Sequence, residues 1–370
     1  MKIFLIMSRL NLAGVPLAQL RFARALKKRG HDVEFIIGQK DDSFIYQEIP
    51  EVAFNILNVN TSKRMIPEII KLIKKKNPDV IFSAEDHMTI WVLFSVILIN
   101  SKTLVSGSSR VGSMDLEAYG GRLFSKNWKS FFLKILFNFV AWRANALTCV
   151  AKDMVEGYHK ALKTTKHTHV YNIIVDEESI LRSTEPVDHI WINNKNTKIV
   201  IAAGRLDKQK GFHDLVNAMP SVIKKRDAKL IILGDGVEKE NLQSQISDLD
   251  MDDFIDMVGY VENPLKYFSK CDVFVLPSYA EGLPNVLVEA MMCKCSPVAT
   301  DCPTGPREVL QDGKYGELIP MKDPASMASA IVKAIDSPVS FENLEKAIEP
   351  FRENAVIQRH FDLLEIEEKF

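Results

Sequence analysis

The sequence predicts an α/β protein of two domains, each built on a doubly wound parallel sheet. Short apolar runs of strand character alternate with amphipathic helical runs along most of the chain. The alternation fades once, near the middle, in acidic, polar and proline-bearing sequence. At 370 residues the chain also exceeds what one hydrophobic core usually holds.

The first series opens with "KIFLIM" at 2–7, a buried strand. "GVPLAQLRFARALKKRG" at 14–30 follows as an amphipathic helix closed by Gly30, and "DVEFIIG" at 32–38 returns as a strand, completing a βαβ unit. Further strands of the same sheet are expected at 78–84, 102–107 and 146–151. Over 170–196 the periodicity is lost, which predicts a first domain at 1–172, a linker at 173–196 and a second domain at 197–351. A C-terminal helix at 352–370 is expected to pack back on the first domain. Five strands make up the second series, at 198–204, 228–236, 254–260, 272–278 and 296–302. Ligands of open parallel sheets sit outside the carboxyl ends of the strands, so chemistry is sought just after each one.

The longest apolar stretches, 91–99 and 131–142, fall short of the roughly 20 residues that span a bilayer. The first residues lack the length and the small-residue cleavage site of a secretory signal, so a cytoplasmic location is expected. Five cysteines form no even disulfide framework, and a reducing compartment suits them. The formal net charge of −1 hides an asymmetry: residues 1–190 hold 26 Lys and Arg against 19 Asp and Glu, and the rest 21 against 29. A basic half can face phosphates of nucleic acid, membrane lipid or an acceptor, or be an unevenly solvated surface.

Four places after strands of the second half stand out. "RLDKQKGF" puts Arg205 and Lys210 on one loop, Tyr260 follows the strand at 254–259, and "PTGPREVL" follows the strand at 296–302. Between them "SYAEGLPNVLVEAMMCK" carries Glu281 and Glu289 with seven residues between them. Pro284 suits the first turn of a helix whose free N–H groups point at the Glu281 loop, a resting place for a phosphate. Glu289 would lie about 7.5 Å of helical rise beyond Pro284, so the two carboxylates fit two ends of a long ligand rather than one bond. The plainer alternative makes Glu281 a helix-terminal charge and Glu289 a surface helix residue. Lys208 reads as a solvated loop residue. Glu85, Asp86 and His87 read as a polar rim, 248–253 as a turn at the opposite sheet edge, and Cys293, Cys295 and Cys302 as small buried residues rather than metal ligands.

Taken in order, "GRLDKQKGF", "LGDG", "VGYVEN", "SYAEGLPNVLVEAM" and "TDCPTGPREVL", with a weaker "GHDVEFI" near the front, resemble glycosyltransferase family 4. That family comprises retaining, nucleotide-sugar-dependent enzymes of GT-B fold, two Rossmann-like domains facing a cleft. The resemblance spans nearly the whole chain, with its motifs concentrated in the second half. It implies catalytic roles for Arg205, Lys210 and Glu281: the two cations hold the departing diphosphate without a metal, and Glu281 meets the donor sugar. Donor contacts are implied for Gly14, Ser108, Tyr260, Gly282, Leu283, Pro284, Asn285 and Glu289, the last on the ribose hydroxyls. The sequence departs from the family in two places. "NLAGVP" carries only Gly14 of the usual glycine pair, and "SGSSRVG" places Ser108 at or beside the position where many members have a histidine.

The implied activity is transfer of a hexose or N-acetylhexosamine, without cofactor or metal, from a nucleotide-sugar, UDP-linked by expectation. The implied acceptor is a bacterial surface glycan or a polyprenyl-diphosphate-linked oligosaccharide, a choice suggested by the form of "CPTGPREVL". Front-face displacement is the implied mechanism, and nucleic acid is not an implied partner. Two other activities remain open: a sugar-nucleotide epimerase or phosphorylase on the same scaffold, and a non-catalytic sugar-nucleotide-binding subunit, suggested by the absent histidine. A dehydrogenase is disfavoured because no G-x-G-x-x-G loop follows the first strand. Over 124–143, Lys126, Lys129, Lys134 and Arg143 alternate with Trp128, Phe131, Phe132, Phe137, Phe139 and Trp142. This composition suits a helix at a lipid interface, giving peripheral contact with the inner face of the plasma membrane; the alternative is a core helix of the first sheet.

Overall fold

The computed structural model describes residues 1–10, 14–40, 52–110, 128–162, 166–192 and 197–367. The chain divides into two compact units, Met1–Ile173 with Glu353–Phe370, and Ile174–Arg352.

The first unit holds a seven-stranded parallel sheet. Its strands are β1 (Lys2–Leu10), β2 (Asp32–Lys40), β3 (Ala53–Ile56), β4 (Val80–Ala84), β5 (Leu104–Ser109), β6 (Ala146–Cys149) and β7 (His167–His169), in the order β3-β2-β1-β4-β5-β6-β7. Leu5 of β1 stands between Phe35 of β2 and Phe82 of β4, so large apolar side chains share one face across the sheet. That face is covered by the helix Gly14–Lys28, through Phe22 and Leu26, and by the C-terminal helix Glu353–Leu363, through Val356, Ile357 and Phe361. Strands β3 and β7 were not foreseen. Both are sheet edges of four and three residues with mixed exposure, too short for any period to show.

The helix Trp128–Val140 turns Phe137 and Val140 inward, while Phe131, Phe132, Ile135 and Phe139 are exposed, as is Trp142 beyond it. Arg143, expected among the lipid-facing cations, instead donates to the Ser101 and Thr103 carbonyls at 2.6 and 2.9 Å and ties down the approach to β5. Lys126 lies outside the described residues, as do the side chains of Trp128 and Lys129. No helix among the described residues is long and apolar enough to cross a membrane.

The second unit holds a six-stranded parallel sheet: β8 (Lys198–Ala203), β9 (Ala228–Leu233), β10 (Ile255–Gly259), β11 (Val273–Leu276), β12 (Ser296–Thr300) and β13 (Glu317–Ile319), ordered β10-β9-β8-β11-β12-β13. Val200, Leu230, Val273 and Val298 build one face of the core against the helices Phe212–Ile223 and Pro324–Asp336. Within the expected linker, residues 174–192 belong to the second unit and carry the helix Glu177–Ser183, capped by Asp176 accepting from the Ser179 amide at 2.7 Å. Arg182 donates to the Glu262 carbonyl at 3.1 Å, and Asn263 donates to the Arg182 carbonyl at 2.9 Å. A local cap and side-chain hydrogen bonds hold this segment, neither of which hydrophobic periodicity reveals.

Strand order reverses between β8 and β11, a topological switch point of the kind at whose carboxyl edge ligands of open parallel sheets bind. The loops carrying Arg205–Lys210 and Glu281 are the two that leave this point.

Candidate active site

The β8 and β11 loops are laced together. Asp207 accepts from the Lys210 amide at 3.2 Å and so caps the single turn Lys208–Lys210. The chain then turns at Gly211, with φ +65°, where a Cβ would overlap the Pro277 carbonyl oxygen of the neighbouring loop. Just beyond, the Tyr279 amide donates to the Gln209 carbonyl at 2.8 Å, and the Gln209 side chain donates to the Ala280 carbonyl at 3.0 Å.

This lacing brings the Lys210 ammonium to 2.6 Å from the Glu281 carboxylate, whose same oxygen accepts from the Ser278 hydroxyl at 2.6 Å. Glu281 is only 8% exposed, so these partners offset the cost of burying its side chain. From the other side Thr304 donates to the Glu281 carbonyl. Gly305, at φ +89°, lets the β12 loop close on Gly282 and Pro284, where a Cβ would collide with both. Arg205 differs. Its side chain is exposed, and its Nε donates to Asp207 at 2.5 Å, leaving the guanidinium tip at the surface. The resemblance groups Arg205, Lys210 and Glu281 as catalytic, the cations on the diphosphate and Glu281 on the sugar; in the fold Lys210 pairs with Glu281 and Arg205 with Asp207. Asp207 and Ser278 were not foreseen. The signals available were an Asp three residues before Lys210 and a Ser three before Glu281.

The helix Asn285–Met292 starts one residue later than expected, with Pro284 at its N-cap. Glu289 is its fifth residue and is 7% exposed, so it is not a surface helix residue. Burial first, and then the Glu289 charge, push the neighbouring Cys293 thiol up to about 12. Gly282, Leu283 and Asn285 are half-buried, Tyr260 is exposed beyond β10, and Lys208 is exposed. All these positions follow carboxyl ends of strands of one sheet, whereas 248–253 turns at the opposite edge.

Gly14 and Ser108 belong to the first unit. Gly14 opens the helix Gly14–Lys28, and Ser108 lies near the end of β5 between Ala84 and Thr148. The 85–87 stretch is more than a rim. Asp86 accepts from Ser109 at 2.5 Å and from Tyr158 at 2.8 Å, and burial pushes its pKa up to about 6. All five cysteines are buried, and none is in a disulfide.

Residues 185–353 match the family model described as Glycosyl transferases group 1. The chain is 32% identical over 253 residues to an uncharacterized glycosyltransferase of Methanocaldococcus jannaschii, a match covering 66% of this chain and 60% of that protein. It is 32% identical over 205 residues to the N-acetylgalactosamine-N,N'-diacetylbacillosaminyl-diphospho-undecaprenol 4-alpha-N-acetylgalactosaminyltransferase of Campylobacter jejuni, covering 54% of this chain and 53% of the relative. The matches thus span between half and two thirds of these relatives' lengths. Among solved structures, HepE of Anabaena in complex with UDP has a TM-score of 0.78 at 17% identity, over 99% of this chain and 100% of that one. The chain has the GT-B fold. The family match and the relatives' names show what residues 185–353 are similar to, glycosyl transferases group 1. In this GT-B chain the matched segment holds Arg205, Lys210, Tyr260 and both glutamates, while Gly14 and Ser108 lie outside it.

Proposed function

We propose that this chain is a retaining, metal-independent glycosyltransferase of family 4 type. It moves a hexose or N-acetylhexosamine from a UDP-sugar to a polyprenyl-diphosphate-linked oligosaccharide or other bacterial surface-glycan precursor. The observation that carries this reading is the Lys210–Glu281 pair at the β8/β11 switch point, with Arg205 on the same loop. As the bond from the anomeric carbon to the diphosphate oxygen breaks, negative charge gathers on that oxygen. A fixed ammonium and a guanidinium stabilise it, and the departing phosphate oxygen takes the proton of the acceptor hydroxyl. Glu281 and Ser278 hold Lys210 in place, and Glu281 accepts from donor-sugar hydroxyls. Glu289 takes the ribose hydroxyls. The amides at Gly282–Asn285 and near Gly14 cradle the phosphates.

UDP is favoured by the UDP complex of the Anabaena structure, and a lipid-linked acceptor by the name of the Campylobacter relative. The exposed row Phe131, Phe132, Ile135, Phe139 and Trp142 supports docking at the cytoplasmic membrane face where such an acceptor lies. Product analysis tests the assignment: purified protein, a panel of UDP-sugars, and extracted polyprenyl-diphosphate glycans. Acceptor-dependent UDP release with a new retained-configuration linkage is expected. Donor isomerised without acceptor would mean an epimerase. The serine at 108 favours a second reading, a non-catalytic subunit, which would bind the donor and leave it unchanged.

A further inference from the structure

The first unit contains a small cavity of mixed polar and apolar lining that opens to solvent. It lies between the sheet face carrying Phe82, Ser106 and Ser108 and two helices, Gly14–Lys28 and Glu353–Leu363, which contribute Gln19 and His360. Arg110 and Asn172 close one side. Arg110 Nη1 donates to the Asn172 side-chain oxygen, a neutral partner, while its Nε is buried with no hydrogen-bond partner. Among the described residues the acid acting on it is Glu85, whose carboxylate accepts from Ser8 and lies 3.6 Å from His87. Among the described residues Arg110 forms no ion pair, and burial pushes its pKa down to about 10. On the opposite wall His360 packs against Phe22 and Phe82 at 4.9 and 5.3 Å between ring centroids, and its Nδ1 is also buried without a partner.

A half-buried guanidinium with an unused N–H and, among the described residues, no ion-pair partner carries a desolvation cost that a bound anion would offset. A planar fork of N–H groups matches the paired oxygens of a carboxylate or phosphate, and the hydroxyl and amide groups of Ser106, Ser108, Gln19 and Asn172 ring the same space. We propose that this cavity is an oxyanion-binding site of the first unit, where Arg110 receives a carboxylate or phosphate group of a small ligand. The inference uses the first unit alone and stands whether or not the transfer activity does.

The full chain carrying both Arg205→Ala and Lys210→Ala, which removes the cations of the second unit, is titrated with inorganic phosphate and separately with glucuronate. Chloride at matched ionic strength serves as reference. Two readouts are taken: the thermal midpoint, and the rate at which phenylglyoxal modifies Arg110, followed by mass spectrometry. At least one oxyanion is expected to raise the midpoint and slow Arg110 modification several-fold. Arg110→Gln is expected to weaken the response tenfold or more, and Arg110→Lys to restore part of it. Response to phosphate alone assigns a phosphate group, and response to glucuronate alone a carboxylate. Should Arg110→Gln not fold, protection of Arg110 in the chain that retains it decides. The proposal is overturned if neither oxyanion exceeds chloride in either readout, or if a folded Arg110→Gln responds as strongly.

Discussion

Lys210 and Glu281 are 71 positions apart in sequence and 2.6 Å apart in the fold. Each was readable as a candidate because each directly follows a strand. Their contact was not, since nothing in either motif says which partner the other loop supplies. The same limit hid Asp207 and Ser278, and a helical register alone could not show that Glu289 faces inward. A division of labour between the glutamates gives a residue-scale prediction. Glu289→Ala should weaken binding of both UDP and UDP-sugar, because ribose is common to both, by tenfold or more. Glu281→Ala should leave UDP affinity nearly intact and instead lower the transfer rate. Calorimetric titration with UDP, paired with initial rates, separates the patterns; equal loss of UDP affinity in both variants would reject the division.

At the scale of elements, central strands with buried runs such as "FLIM" in β1 and "LIIL" in β9 were legible, since burial on both faces leaves a continuous apolar signature. The edge strands β3, β7 and β13 were not, although the edge strand β10 was, and β7 shows why: its sequence is His-Thr-His. His167 is buried between Phe137 and Tyr158, with centroids 6.0 and 5.0 Å away, and both ring nitrogens lack a hydrogen-bond partner. Burial pushes its pKa down to about 4 from 6.5. The folded state therefore resists protonation that the unfolded chain accepts, so stability present above pH 6.5 is lost as pH falls toward 4, by about 2 kcal/mol at pH 5. His167→Phe should raise the thermal midpoint at pH 7 and flatten its fall between pH 7 and 5; an unchanged pH slope would contradict this. The helix Trp128–Val140 makes a separate prediction. Phe131→Ser with Phe139→Ser should cut binding to anionic vesicles at least tenfold, roughly the cost of two exposed phenyl groups, without lowering the thermal midpoint. Vesicle flotation measures it, and undiminished binding would remove the membrane role from this face.

Across the whole molecule, two doubly wound parallel sheets were legible from the alternation of strand and helix runs, but the strand order within each was not. The second unit was the more readable because its chemistry-bearing loops leave adjacent strands β8 and β11 and bear charges within short motifs. In the first unit, the cavity at Arg110 gathers residues from 19 to 360, a span over which no motif could announce it. If the two loop cations take the leaving-group charge, EDTA should leave transfer unaffected, and inhibition reversed by magnesium or manganese would assign that task to a metal. The most direct test is acceptor-dependent transfer from a saturating UDP-sugar, measured for the wild-type chain and for Lys210→Ala. The proposed mechanism predicts transfer by the wild type and a fall on the order of a hundredfold or more in the variant, with circular dichroism unchanged. Equal rates in the two proteins, or no transfer by the wild type from any UDP-sugar, would contradict it.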